Sequence, residues 1–420
     1  MVEKIRNILD EQLLVINPNE QELAELGKLT IQVIKGIKSN LKKYRIKANV
    51  FIGGSFAKKT IIKKNKYDID LFVRFNKKYN EQELFRLLSK IVPKKSERLH
   101  GSRDYYRFKI NNKIEFEIIP VIEIKKPSEA RNITDLSYFH VQYITKAINK
   151  NKKLSNEIKV AKAFTHYQDC YGAESYIRGF SGYALEILVV YYNGFQNFIK
   201  AIAKTESGKK LFLDPSKLYK NQQELIGSMN ESKLNSPLVL IDPTYKERNA
   251  LAGLSNECLE KFRVVCINFL KKPSADFFKS IDKESEFEKK YGKKLIKIEV
   301  KSNRQAGDIA GTKIRKFHEF FVQQASRYFD IINSDFVYNE VSNMGKILFV
   351  GKLKNKIDFR GPNTSMKEAL ALFKREHKKI IIKKKIAYAS KDNFKDFSEF
   401  LIFFKTKNKK IIESMSISFV

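Results

Sequence analysis

Two acids one residue apart, Asp68 and Asp70, stand near the end of the stretch GGSFAKKTIIKKNKYDIDLFVRF at residues 53–75, and Gly53, Gly54 and Ser55 open it. On a β-strand alternate side chains share a face, so Asp68 and Asp70 point the same way while Ile69 turns into the core. Two carboxylates held side by side repel each other unless a cation stands between them. A hard divalent cation such as Mg2+ takes oxygen ligands, often one or two carboxylates together with substrate phosphates. Two such ions, roughly 3.5–4 Å apart, can clamp the attacking and leaving oxygens of an in-line displacement. Glycines ahead of a short helix let backbone N–H groups approach a phosphate closely. Ser55 adds a hydroxyl and Lys58 a charge. Each device alone is common in solvated turns. Their succession in one stretch points to a nucleoside triphosphate held for reaction.

A third carboxylate is wanted to complete the cluster, and IEFEII at residues 114–119 offers two. Ile114, Phe116 and Ile118 form an apolar face, which leaves Glu115 and Glu117 on the other. Either glutamate joins the pair if this strand lies beside the one carrying Asp68.

The elements that must position these groups follow from periodicity. Residues 18–44 repeat apolar positions at helical spacing, with Asn17 before Pro18 as the start. Residues 46–52 alternate as a strand, 56–64 form a short helix, and 67–75 form the Asp-x-Asp strand. Residues 81–91 are helical, and strands at 105–110 and 113–124 turn at Asn111-Asn112. This makes a small α/β unit over residues 1–140. Residues 141–280 carry helical patterns, such as 156–167 and 181–202, and no strand signal. In residues 281–420 a strand at 295–300 precedes a mostly helical 308–332. A hairpin at 336–353 turns around Asn343-Met344-Gly345, and 365–377 is helical. A strand at 379–388 and a helix at 392–404 end a second α/β region. The fold class is α+β and multidomain, with no internal repeat.

Composition narrows the partners. The chain has 420 residues, 43% of them hydrophobic, ample for a sizeable core. Lys and Arg number 81 against 47 Asp and Glu, a net charge of +34. A lysine-rich surface needs no partner, but an excess of this size over acids favours a polyanion. Nucleic acid is expected rather than an anionic membrane, since no polybasic amphipathic anchor or lipidation signal is visible. Cys170, Cys258 and Cys266 are odd in number, widely spaced and set among apolar residues, which reads as buried thiols rather than zinc ligands or disulfides. The N-terminus has no signal-peptide core and no apolar run is long enough for a membrane span, so a cytoplasmic location is expected.

GGSFAKKT followed by YDIDLFVRF resembles the signature of the nucleotidyltransferase superfamily that includes DNA polymerase β. The segments YYRFKINNKIEFEIIPVIEI, SYFH at 137–140, NEIKVAKAF at 156–164, YGAESYIRGFSGYALEILVVYY at 171–192 and IDPTYKERNALAGLS at 241–255 resemble one family within it. That family is the archaeal-type, class I CCA-adding enzymes, the tRNA nucleotidyltransferases. The resemblance covers residues 30 to 280 or so and extends more weakly through RGPNTSMKEAL.

The resemblance implies a polymerase-β-like catalytic head at 1–140, a helical central (neck) domain at 141–280 that selects the base, and an α/β body and tail at 281–420 that binds RNA. Asp68 and Asp70 match the family's metal carboxylates. Glu117 falls where the third, usually an aspartate, is placed, with Glu115 as its local rival. Ser55 and Lys58 match triphosphate-binding positions, Lys58 where arginine is common, and Lys59 stands where glycine is frequent. His140, Lys162 and Tyr171 match nucleotide-contacting positions, and Arg248 an arginine that helps select the incoming base. On their residues alone these last four read as a packed histidine, a snorkelling lysine, a helix-end aromatic and a partner of Asp242 or Glu247, and Arg178 as a cap or ion-pair residue.

The implied activity uses two Mg2+ ions and adds C, C and A from CTP and ATP to the tRNA 3′ end. No nucleic acid template is used, and pyrophosphate leaves. The implied partners are the tRNA acceptor end and elbow and a second copy of the chain. Lys378, Lys379, Lys383, Lys384 and Lys385, near Tyr388 and Phe394, are expected to meet RNA phosphates. Other readings are a poly(A)- or U-adding enzyme, a 2′-5′ oligonucleotide synthetase, or a non-catalytic RNA-binding relative.

Overall fold

The computed structural model describes residues 2–280, 282–340, 342–377 and 379–420, and Lys378 lies outside them. It divides into two compact units, residues 1–173 with 177–280 and residues 174–176 with 281–420.

In the first unit, α1 (Val2–Ile16) and α2 (Glu20–Lys43) precede β1 (Ala48–Ile52), the one-turn α3 (Gly54–Ala57) and β2 (Tyr67–Phe75). The start of α2 is Asn19, two residues later than the Asn17 expected: its side chain and that of Glu22 cap each other's backbone N–H groups reciprocally. α4 (Glu81–Ser89), β3 (Glu97–Leu99), β4 (Tyr105–Lys109) and β5 (Ile114–Ile122) follow. The sheet order is β1-β2-β5-β4-β3, with β2 and β5 parallel and the other pairs antiparallel. The turn between β4 and β5 is set by Asn111, whose side-chain oxygen accepts the N–H groups of Lys113 and Ile114. Leu26, Val33, Ile37 and Leu41 of α2 pack with Ile69, Leu71, Phe116 and Ile118 of the sheet.

The helices α5 (Ser137–Lys150), α6 (Lys153–Tyr167), α7 (Gly182–Tyr191) and α8 (Phe195–Ala203) come next. The single helix expected over 181–202 is broken at Asn193 and Gly194, both with positive φ (53° and 133°). Three strands that periodicity did not announce lie beyond it: β6 (Leu211–Leu213), β7 (Leu238–Asp242) and β8 (Tyr245–Asn249), with α9 (Gln222–Ser228) and α10 (Glu231–Leu234) between the first two. Every residue of β7 is buried, so it shows no alternation. α11 (Asn256–Lys271) closes a core in which Phe164, Phe180, Phe198, Phe262 and Phe269 meet Ile5, Ile8 and Leu9 of α1.

The second unit holds α12 (Lys283–Tyr291), β9 (Ile296–Ser302), α13 (Gly307–Ala325), β10 (Phe329–Asn339) and β11 (Met344–Leu353). Helix α13 stops at Ala325, earlier than expected, and residues 329–332 already belong to β10. After these come β12 (Lys356–Asn363), α14 (Lys367–Glu376), β13 (Ile380–Lys383), β14 (Ile386–Asp392), α15 (Phe397–Lys407), α16 (Lys409–Ser414) and β15 (Ile417–Phe419). The one strand expected at 379–388 is a hairpin, because Lys384 and Lys385 take positive φ (47° and 62°) and reverse the chain. Two antiparallel sheets result, β10-β11-β9-β15 and β12-β14-β13. Phe317, Phe321, Phe349, Phe400 and Phe404 fill the core.

Candidate active site

The Asp-x-Asp strand does what its alternation requires. Tyr67, Ile69 and Leu71 are buried, Asp68 reaches solvent and Asp70 is half-buried on the opposite face. The expected helix over 56–64 is only the turn Gly54–Ala57; beyond it the chain runs irregularly along the cleft. Lys59 has φ 58°, a left-handed conformation that glycine adopts most easily. The Gly53 N–H donates to the Asp70 carbonyl at 2.8 Å, fixing the loop to β2. Gly54, at φ 58°, lies directly behind the Asp70 carboxylate.

The parallel register sets Asp68 opposite Glu115 and Asp70 opposite Glu117. The two glutamates have different surroundings. Glu115 is buried, with Lys66 Nζ at 2.5 Å and Arg107 Nε at 3.5 Å. Burial alone would raise its pKa, but Lys66, a hydrogen bond with Asp68 and Arg107 hold it below the ordinary value. Glu117 accepts from Tyr105 Oη at 3.3 Å, and its pKa is pushed up to about 7 by lost hydration and then by the charges of Asp70 and Asp68. Lost hydration, then the hydrogen bond with Glu115, raises Asp68 to about 6. Desolvation also raises Asp70, against the pull of Lys58, Lys162 and Lys64. Among the described residues no three His, Cys, Asp or Glu side chains are already drawn in to metal distance. The acids crowd one another through an all-oxygen donor set, and the Gly54 backbone leaves no room for a side chain beside Asp70. That chemistry fits a hard divalent cation.

A cleft of about 290 Å³ opens beside these acids, and Ser55, Lys58, Asp68, Asp70, Lys162 and Tyr171 all line it. Sequence reasoning did not name what organises it. Glu186, in the otherwise apolar run GYALEILVVY, is fully buried and accepts from Lys58 (2.5 Å), Lys162 (2.7 Å) and Thr60 (3.0 Å). Burial works against its ionisation, yet the two lysines hold it down at about 2. A lone acid in an apolar helix was the signal available.

His140 and Arg248 do not line the cleft; they meet at the buried Asp242 beside it. Asp242 Oδ2 is 3.0 Å from His140 Nε2 and accepts from Arg248 at 2.8 Å. Its Oδ1 accepts from Tyr183 at 3.1 Å and from Thr244 N and Oγ1 at 2.8 and 2.7 Å. Burial opposes ionisation, but His140 and Arg248 keep this carboxyl well below the usual range. The His140 ring stacks on Tyr183 at 3.9 Å, and burial lowers its pKa. Tyr183 also lines the cleft, so it joins the two groups. Arg178 serves backbone geometry: it has φ 54°, and its carbonyl accepts from Ser255 N at 2.9 Å.

Comparison with known proteins gives the chain its relatives. Residues 32–159 match the model of the nucleotidyltransferase domain, and residues 156–279 that of the second domain of tRNA nucleotidyltransferase. The chain is 37% identical over 271 residues to a CCA-adding enzyme of Nanoarchaeum equitans, covering 64% of each chain. Residues 32–279 are thus similar, across both of these domains, to the tRNA nucleotidyltransferases. A second relative, the CCA-adding enzyme of Methanocaldococcus jannaschii, is 30% identical over 312 residues, 72% of this chain and 65% of that one. The match thus spans just under two thirds of these relatives' lengths. A solved RNA terminal U-transferase shares the fold at a TM-score of 0.51 and 14% identity, covering 67% of this chain and 99% of that one. The fold is therefore α+β and of the polymerase-β-like nucleotidyltransferase type. The three cysteines are buried thiols. Among the described residues no helix is long and apolar enough to cross a membrane.

Proposed function

We propose that the chain is a CCA-adding tRNA nucleotidyltransferase, which extends the tRNA 3′ end with C, C and A from CTP and ATP, untemplated, and releases pyrophosphate. The observation that carries this reading is the cleft that brings Asp68 and Asp70 together with Ser55, Lys58, Lys162 and Tyr171, in a chain similar to the tRNA nucleotidyltransferases. Asp68, Asp70 and Glu117 are our metal ligands. Mg2+ ions bound there would make the attacking 3′-hydroxyl more acidic and offset charge on the triphosphate.

The chain's own groups do the rest. Ser55, Lys58 and Lys162 grip the phosphates, so the α-phosphorus faces the hydroxyl in line. Tyr171 and His140 position sugar and phosphate. Arg248, fixed by Asp242, presents donors to the base edge together with the RNA end. No side-chain base is required. Residues 1–140 act as head, 141–280 as neck and 281–420 as body and tail. The lysines around the β13–β14 turn hold A-form RNA by its phosphates, toward the acceptor end and elbow. We expect a homodimer in the cytoplasm.

The test is gel-resolved extension of a tRNA lacking CCA, with CTP alone, ATP alone and both, in Mg2+. Ordered addition of C, C and A that then stops is expected, and an unlimited homopolymer would refute the reading. Asp70→Ala should abolish addition while tRNA binding persists; sustained turnover in that variant would sink the metal assignment.

A further inference from the structure

The mechanism gives no task to Glu186, which lines the cleft. Glu186 is the acid that reaches both phosphate-binding lysines, and it is itself fully buried. An ionised carboxylate in such a place is costly unless paired and hydrogen-bonded. Here both oxygens are engaged, Oε2 by Lys58 and Oε1 by Lys162 and Thr60, and Lys162 Nζ also donates to Thr60 Oγ1 at 2.9 Å. The partners come from different places: Lys58 and Thr60 from the loop after α3, Lys162 from α6, Glu186 from α7. Lys58 and Lys162 are themselves almost fully buried. Two ammonium groups this close repel each other, and a single carboxylate bridging them fixes their separation and direction.

We propose that Glu186 is a positioning residue of the triphosphate site, acting through Lys58 and Lys162. A carboxylate would repel a phosphate, so its part is to hold two cations aimed into the cleft before the nucleotide arrives. Affinity then gains from side chains ordered in advance. Glu186 lies three residues after Tyr183, on the same side of α7, so one helix face serves both the lysine pair and the Asp242 group. The inference rests on the reading of the cleft as a triphosphate site.

The experiment is calorimetric titration of the full chain with CTP, inorganic tripolyphosphate and CMP, for wild type, Glu186→Gln, Lys162→Met and the double variant. Glu186→Gln is expected to weaken CTP and tripolyphosphate about tenfold or more, the scale of a charge-assisted hydrogen bond, while CMP is unchanged. The double variant should bind little worse than Lys162→Met, since the glutamate works through the lysine. Wild-type or tighter CTP binding by Glu186→Gln would overturn the proposal, as would losses that multiply in the double variant. If Glu186→Gln fails to give a cooperative melt, Thr60→Val takes its place. Removing the shared hydroxyl should then weaken CTP and tripolyphosphate alike and spare CMP, and unchanged affinity would overturn the proposal. Wild type that binds neither CTP nor tripolyphosphate would refute the triphosphate site itself, a result distinct from these.

Discussion

A methyl group placed on Gly54 would overlap Oδ2 of Asp70, far inside van der Waals separation. The glycine also has φ 58°, where other side chains are strained. Both facts confine the loop to a residue without a Cβ, and both act on one carboxylate. Gly54→Ala must displace either the loop or the acid. A shift of about 1 Å at a reacting centre costs about a hundredfold in rate. Extension of truncated tRNA should fall by that order, with a stability loss of about 1–3 kcal/mol by thermal melt. Wild-type turnover in Gly54→Ala would mean that Asp70 need not sit where it does.

The depressed carboxyl of Glu186 gives a pH signature. Its ordinary value is 4.5, and in the folded chain it is held at about 2. A group lowered by folding stabilises the fold above its unfolded value and loses that contribution as pH falls through the folded one. The stability gap between wild type and Glu186→Gln should therefore be full at pH 6 and shrink steadily between about pH 4.5 and about pH 2. Denaturant midpoints of both proteins across that range check it. A gap independent of pH would show that Glu186 is not ionised in the fold.

Much of this site was legible because its signals are local. Alternation in YDIDLFVRF puts both aspartates on one face, and the same rule sorts Glu115 and Glu117 from Ile114, Phe116 and Ile118. What alternation cannot supply is the neighbour. That Lys66 engages Glu115 while Arg107 reaches both glutamates, and that Glu117 sits opposite Asp70, are facts of tertiary packing. Glu186 and Asp242 were missed as organisers for the same reason: apart from Thr244 and Arg248 beside Asp242, their partners lie between 24 and 128 residues away along the chain. Lys59 is the reverse case. The resemblance implies a frequent glycine there, and the left-handed φ of Lys59 supplies a physical reason. The strand β7 escaped notice because complete burial erases the period that marks a strand.

Asp242 collects His140, Arg248, Tyr183 and Thr244 on two oxygens. An asparagine keeps one acceptor and turns an N–H2 toward donors, so Asp242→Asn should release Arg248 or His140. Nucleotide choice, more than the rate with the correct nucleotide, should suffer. We expect discrimination between CTP and ATP at the first added position to drop about tenfold, the worth of a charged hydrogen bond. Single-nucleotide extension with each triphosphate measures it. Unchanged selectivity would remove Arg248 from base choice.

The β13–β14 hairpin permits a test of RNA binding that spares the fold. Lys384 and Lys385 both take positive φ at a two-residue turn, where Asn-Gly is the favoured pair. Replacing them as Lys384→Asn with Lys385→Gly removes two charges while easing the backbone. Thermal stability should hold or rise. Affinity for tRNA should fall, and the slope of log affinity against log salt should flatten by about 0.7–0.9 for each phosphate that is no longer neutralised. A variant with the wild-type slope would place the RNA elsewhere on the chain.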